Sequence, residues 1–257
     1  MKIVVLVKEV PDTYGDRKLG LETGLADRSG DRVVDEICER ALEAAITLAG
    51  KAGDTEVVVL SMAGEAAQAT VRKGLAMGAA SAVQVIDEQL VGADVSLTAQ
   101  VLAAALRRIG FDLVIAGNQS TDGSAGVVPA MVAELLDVPQ LTALNTVEVD
   151  GDRVSGERAI DGGTARVSAT LPAVVSITER MPDPRLPSFK GIMAAKKKPF
   201  ETLSLADLDV DADAAAQPWS IMTAVAERPA RTAGVKITDT GDAGEQLAKF
   251  LVDNRLA

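Results

Sequence analysis

The chain has 257 residues, 47% hydrophobic and 2% aromatic, with 26 basic against 37 acidic side chains, a formal net charge of -11 and no histidine. That content suits one large domain, or one domain with extensions, around a buried core, while an isoelectric point near 4.6 and scarce aromatics argue against nucleic acid as a partner. Histidine is the commonest general base near neutral pH and a frequent metal ligand, so its absence excludes Ser-His-Asp, Cys-His and His-zinc chemistry together.

The first element is the apolar run I-V-V-L-V at residues 3–7, followed at once by Lys8-Glu9, so no secretory leader is expected. No run of 18 or more uncharged apolar residues occurs, so direct membrane insertion is not expected either. Residues 15–33, rich in Asp, Gly, Arg and Leu, are too polar for a core and read as an excursion, a hairpin over the end of the first strand. A helical pattern over 35–49 carries Cys38, the single cysteine, which excludes an intrachain disulfide or a cysteine metal cage and fits a reducing cytoplasm. Strand-like runs then recur at 56–61, 82–86 and 112–116, with helical patterns between them at 65–77 and 96–109 and after them at 126–136. Nearly continuous β-branched runs alternating with helices predict an α/β, doubly wound, mostly parallel sheet.

From residue 140 the period changes. Short runs at 146–149, 153–159, 164–169 and 173–177, the first three separated by Asp150-Gly151 and Asp161-Gly162-Gly163, predict antiparallel strands added to one side of the sheet. Pro182, Pro184 and Pro187 then force residues 180–188 into an extended, exposed loop, which leads through Leu186 and Phe189 to Lys196-Lys197-Lys198. A bulky apolar residue beside concentrated positive charge reads as a docking device, or equally as a solvated charge run behind a Pro-rich connector. Residues 205–217 are acidic and Ala-rich with little to hold a core, 219–236 read as an arm that packs on something, and 244–254 as a short closing helix. This divides the chain into residues 1–200 and a C-terminal extension from 201 to 257.

In an open parallel sheet, ligands bind beyond the carboxyl ends of strands where the strand order reverses. The fourth strand ends in A-G-N-Q-S-T-D-G-S-A-G, residues 116–126, the best candidate. Gly117, Gly123 and Gly126 allow close backbone approach, and Ser120, Thr121 and Ser124 supply hydroxyls just before a helix whose first amides favour an anion. The loop suits one phosphate of an adenine nucleotide; the same residues also suit a helix cap and tight βα turn without a ligand. Neither G-x-G-x-x-G nor a P-loop ending is present, and no metal site or paired catalytic carboxylate stands out.

Seven segments give the chain a resemblance that spans nearly its whole length: V-L-V-K-E-V-P-D at 5–12, A-M-G-A at 76–79, D-L-V-I-A-G-N-Q at 112–119, I-D-G-G at 160–163, L-P-A-V-V-S at 171–176, I-M-A-A-K-K-K at 192–198 and R-T-A-G-V at 231–235. Together these resemble the β subunit of electron transfer flavoprotein. The resemblance implies the adenine-nucleotide α-hydrolase-like variety of the fold. It also implies a heterodimer with an α subunit that holds most of the redox FAD, AMP bound structurally by the β subunit, and a C-terminal arm packed on the partner. AMP contacts would fall on Leu6, on Asp35, Ile37 and Cys38, on Met62, and on Gln119, Ser120, Thr121, Asp122, Gly123, Ser124, Ala125, Gly126 and Val127 in a span reaching Ala130, with Thr13 and Ile37 near the flavin edge. Core packing accounts equally well for Leu6, Ile37 and Met62.

The same resemblance makes residues 180–195 a recognition loop for partner dehydrogenases, with Phe189 as anchor, Leu186 as second choice, and Lys190 and Ile192 beside them. The three lysines would flank the anchor against an acidic partner surface. Electrons would come from primary dehydrogenases such as acyl-CoA dehydrogenases of fatty acid β-oxidation and pass to a membrane quinone oxidoreductase. The chain departs from many relatives at Gly123, Ser124, Ala125 and Gly126, where they carry acidic and amide residues, so backbone amides must do more of the binding. Ala159 likewise replaces an acidic residue that several relatives use against the α subunit. Alternatives are an electron-bifurcating type with a second FAD in the AMP cleft, and a stand-alone nucleotide-binding regulatory domain.

Overall fold

A computed structural model describes residues 1–210 and 222–257; Trp219 and the end of the acidic stretch, up to Gln217, lie outside the described residues. The first compact unit, Met1–Thr223, is organised by seven parallel strands in the order β12-β5-β4-β1-β6-β11-β7. They are β1 (Lys2–Leu6), β4 (Glu56–Met62), β5 (Ser81–Val85), β6 (Leu113–Gly117), β7 (Gln140–Leu144), β11 (Ala173–Ile177) and β12 (Phe200–Leu203). Their helices are α1 (Glu36–Ala52), α2 (Gln68–Met77), α3 (Val95–Ile109), α4 (Val128–Leu136) and α5 (Phe189–Ala195).

Alternation along the strands builds a core on each face, as the period of two requires. Ile3, Val5, Val57, Val59 and Ile115 pack with α1 and α2, whereas Val4, Leu6, Val58, Leu60 and Val114 pack with α3. The register Val4↔Val58 and Val4↔Val114 places those alternating residues side by side. Helix α3 starts where the Asp94 carboxylate accepts the Leu97 N–H at 2.9 Å, and its buried stripe runs through Val101, Leu102, Ala105 and Leu106.

The polar excursion after β1 is a hairpin: β2 (Glu9–Pro11) pairs antiparallel with β3 (Arg32–Val34), and Leu19 bridges Ala26 near its tip. The second hairpin region differs from expectation. β8 (Glu148–Asp150), β9 (Arg153–Ile160) and β10 (Gly163–Thr170) form their own antiparallel sheet, with Gly162 at φ 78° in the turn where Asp-Gly chemistry predicts it. Residues 173–177 do not join them: β11 enters the main sheet, parallel to both β6 and β7. All five of its residues are buried, and a short continuous apolar run marks a strand covered on both faces rather than an edge.

Two further differences lie at the far edge. β12 pairs with β5, and Leu203, Leu205 and Leu208 are buried with the α3 side of the core, so this stretch holds core after all. Lys198, expected beside a docking anchor, instead turns inward, its Nζ donating to the carbonyls of Leu75 at 2.9 Å and Ala79 at 2.6 Å. Burial lowers its pKa, and the contacts satisfy carbonyls at the C-terminal end of α2, where a cation is favoured. The second compact unit, Ala224–Ala257, contains one helix, α6 (Ala243–Asp253), none of whose residues is buried. No helix among the described residues is long and apolar enough to cross a membrane.

Candidate functional site

The chain runs from β1 through β4 to β5 on one side and returns to β6 on the other, so strand order reverses between β1 and β6. Neighbouring crossovers diverge there and leave a crevice at the carboxyl ends of the strands. A cleft of about 580 Å³ occupies this place, floored by the strand-end residues Leu6, Met62, Val85 and Ala116. Its size falls within the usual range for small-molecule sites, roughly 300–1,000 Å³.

One wall is the loop between β6 and α4. It leaves the sheet at Gly117, where a side-chain carbon would come within 2.5 Å of Ile37 Cγ2, so only glycine lets α1 and β6 approach this closely. Asp35, fully buried just before α1, accepts the Thr121 N–H at 2.8 Å and the Thr121 hydroxyl at 3.2 Å through Oδ2. Ser124, at φ 50°, donates to the Ser120 carbonyl through both its N–H and its hydroxyl, and Gly126 turns at φ 68° into α4. The N–H groups of Ala125, Gly126, Val127 and Val128 have no acceptor among the described residues, and Ala125, Gly126 and Val128 line the cleft. A helix start with free amides beside a cleft fits the anionic group of a nucleotide.

Charge around this wall is organised by Asp122. Its carboxylate receives Lys8 Nζ at 2.7 Å on Oδ1 and Arg28 Nη2 at 2.8 Å on Oδ2, with the Gly123 N–H at 2.6 Å. Burial would raise the Asp122 pKa, but the Lys8 ammonium, the Ser120 hydroxyl and the Gly123 amide hold it at about 2. Arg28 also donates to the Glu9 carbonyl at 3.0 Å, and Arg17 donates to the Thr121 carbonyl, so the hairpin arm is tied to the loop. Glu9 is itself buried, bridged to Arg32 at 3.2 Å and to the Thr70 hydroxyl. Buried Gln84 donates to the carbonyls of Ala63 and Gly64 and shapes the turn after β4.

The sequence candidates separate clearly. Leu6, Ile37, Cys38, Met62, Gln119, Ser120, Ala125 and Gly126 all line the cleft. Asp35, Thr121, Asp122, Gly123, Ser124 and Val127 do not; the first three brace the loop from behind or from the side. Thr13 is exposed in the hairpin, away from the lining. The Cys38 thiol is pushed up to about 12 by burial and by the Asp35 charge, so it is an inert part of the wall. Sequence reasoning missed Arg28 and Arg32, which line the cleft with Lys8; Lys8 stands in a strand-end segment suited to a nucleotide, but its pairing with Asp122, 114 residues away, was not foreseeable.

The second candidate region, residues 181–188, is extended but not structureless. Arg40 donates to the Met181 carbonyl and to Asp183, and Arg185 grips Glu43 through Nε at 2.7 Å and Nη2 at 2.8 Å, which pins the segment to α1. Phe189 is the first residue of α5, capped by Ser188, whose hydroxyl accepts the Gly191 N–H at 3.1 Å. Leu186 and Phe189 are 88% and 81% exposed, with Lys190, Ile192 and Met193 exposed nearby, so the apolar residues point into solvent from a braced frame.

Comparison with known proteins agrees with this geometry. Residues 23–208 match the electron transfer flavoprotein domain. The chain is 47% identical over 262 residues to the electron transfer flavoprotein subunit beta of Mycobacterium leprae, covering 99% of this chain and 98% of that protein. It is 38% identical over 213 residues to the subunit of that name from Bacillus subtilis, 82% of each chain. With that from Syntrophomonas wolfei it shares 35% over 240 residues, covering 93% of this chain and 90% of the other. A likeness that runs the length of the sheet, the cleft wall and the exposed loop places the chain in the electron transfer flavoprotein β-subunit family.

Proposed function

We propose that the chain serves as the β subunit of a heterodimeric electron carrier and holds AMP in the strand-end cleft as a structural nucleotide. The observation that carries this reading is the cleft at the reversal of strand order faced by the free amides of Ala125, Gly126 and Val128. Those amides would hold a phosphate, the apolar floor at Leu6, Met62 and Val85 would exclude water from the base, and Asp35 would keep the loop in its binding shape.

FAD, held mainly by an α subunit, supplies the redox chemistry when bound. This chain's share is to present the hairpin bearing Thr13 and to dock partners. Support for a partner subunit comes from the Ala224–Ala257 unit, where Leu247, Phe250, Val252 and Leu256 are all exposed: an arm with such a surface needs cover. Support for dehydrogenase docking comes from Leu186 and Phe189, an apolar pair on a rigid frame of the kind that anchors interfaces. On this reading acyl-CoA and related dehydrogenases deliver electrons, and a quinone oxidoreductase removes them.

Denaturing the purified heterodimer and chromatographing the released small molecules tests the reading. AMP and one FAD per heterodimer is the expected result. Two flavins and no AMP would put a second FAD in the cleft, and an extract without any nucleotide would defeat the nucleotide reading.

A further inference from the structure

Helix α5 carries the exposed Phe189 at its first position, yet it is only seven residues long and Ala195 is its single buried residue. A helix of that length is marginal in water by itself, since stretches below about 12 residues rarely hold together without packing. Its place must therefore come from contacts, and these converge on the C-terminal end of α2. Of the three consecutive lysines after α5, Lys196 and Lys197 are exposed, whereas Lys198 donates to the Leu75 carbonyl at 2.9 Å and the Ala79 carbonyl at 2.6 Å. Arg72 of α2 answers in the other direction: its Nη1 donates to the carbonyl of Ala195, the last residue of α5, at 3.2 Å, while its guanidinium lies 4.6 Å from the centre of the Phe200 ring. Carbonyls at the end of each helix are thus met by a cation from the other side of the contact, at the terminus where positive charge is favoured. Between these two ties the backbones meet: a side-chain carbon on Gly191 would come within 2.5 Å of the Ala76 carbonyl oxygen.

We infer that Lys198 and Arg72 are positioning residues for docking: by fastening α5 to the C-terminal end of α2, they fix where Phe189 stands and present it to a partner as a preformed anchor. This rests on the docking role proposed for Phe189 and adds what holds the anchor in place. A preformed anchor spares the complex the ordering of a loop on association, the usual gain from preorganisation. Lys198 and Arg72 act from the α2 side, through Phe189; Lys190, Lys196 and Lys197 are the exposed cations beside it.

The test is reduction of the purified heterodimer by an acyl-CoA dehydrogenase at saturating acyl-CoA, with the heterodimer as the varied substrate. Lys198→Met removes the donors to Leu75 and Ala79 and should raise the KM for the heterodimer about tenfold with kcat unchanged, the size of one charge-assisted hydrogen bond lost. Gly191→Ala keeps every cation and favours helix, so a rise in KM there, about fivefold, reports displacement of α5 from α2 and not its melting. In a Phe189→Ala background both substitutions should change KM by less than about twofold, because they act through that side chain. An unchanged KM in both single variants overturns the inference. So does a full-sized rise in the Phe189→Ala background, which would make the clamp a support of the fold alone. Where Lys198→Met does not fold, Gly191→Ala decides. A Phe189→Ala heterodimer with wild-type KM would remove the docking reading, and this inference with it; a weakened Phe189→Ala beside unaltered clamp variants removes only the clamp.

Discussion

Residues 119–127 and residues 181–188 are both irregular segments fastened to the first βα unit by carboxylates, yet their surroundings are opposite. The first is held by Asp35, fully buried, and by Asp122, 8% exposed in its side chain. The second is held by Glu43, largely covered, against the 46% exposed Arg185, and by Asp183, 88% exposed, against the mostly covered Arg40. A buried carboxylate that loses its partner leaves an unsatisfied group, whereas an exposed ion pair contributes roughly 0–1 kcal/mol and is screened by salt. On the proposed reading, the cleft wall is preorganised for a small ligand, and the exposed segment offers partners a frame with adjustable ties.

Four measurements would break or sharpen that contrast. Phe189→Ala should slow electron transfer with an acyl-CoA dehydrogenase by about 30-fold or more, because truncating an interface anchor costs roughly 2 kcal/mol or more. It should leave thermal stability and nucleotide content alone, since the side chain is 81% exposed; unaltered transfer kinetics would remove the docking role. Asp35→Ala should do the reverse, destabilising the fold by about 2–3 kcal/mol through the orphaned Thr121 donors, and lowering the melting temperature by roughly 4–12 °C. A stable variant that retains its nucleotide would show that the loop does not depend on this brace.

The third measurement is acid unfolding. The Asp122 carboxyl is held at about 2, below its ordinary 3.8, so its contribution is complete above the ordinary value and is lost as pH falls towards about 2. That shift corresponds to about 2 kcal/mol, and Asp122→Asn should show a shallower loss of stability between about pH 4 and 2 than wild type. Parallel acid curves would contradict the depressed pKa. The smallest effect is expected for Glu43→Gln, which weakens the tie to Arg185 by no more than about 1 kcal/mol. Its effect on dehydrogenase docking should shrink further at high salt; a large, salt-independent loss would mean that the exposed segment is as rigidly built as the cleft wall.

Much of this architecture was legible in the chain. The strand and helix alternation through residue 136 follows from buried β-branched runs between amphipathic stretches, and the Asp-Gly turns of the small sheet follow from the positive φ that glycine accepts at Gly162. The loop after β6 drew attention because glycines and hydroxyls stand before a helix at a strand end, a pattern shared by an anion site and a plain helix cap; the structure sets part of it along the cleft. Leu6, Met62 and Gln119 came from family likeness, and their shared cleft is a matter of packing. The misplaced run was β11, whose apolar sequence A-V-V-S-I states burial but not which strands it lies between.

Periodicity encodes which side chains leave water, since that depends on local backbone geometry, and so the sequence alone determined the α/β class, the hairpin excursion and the exposed, proline-built loop. Pairing across long separations is set by how the finished elements meet. Only the tertiary structure decided that Asp122 would hold Lys8 and Arg28, that Lys198 would turn inward to the end of α2, and that Arg185 would clasp Glu43. Each of these is a charged group whose partner lies 94 or more residues away, beyond the reach of any repeating pattern.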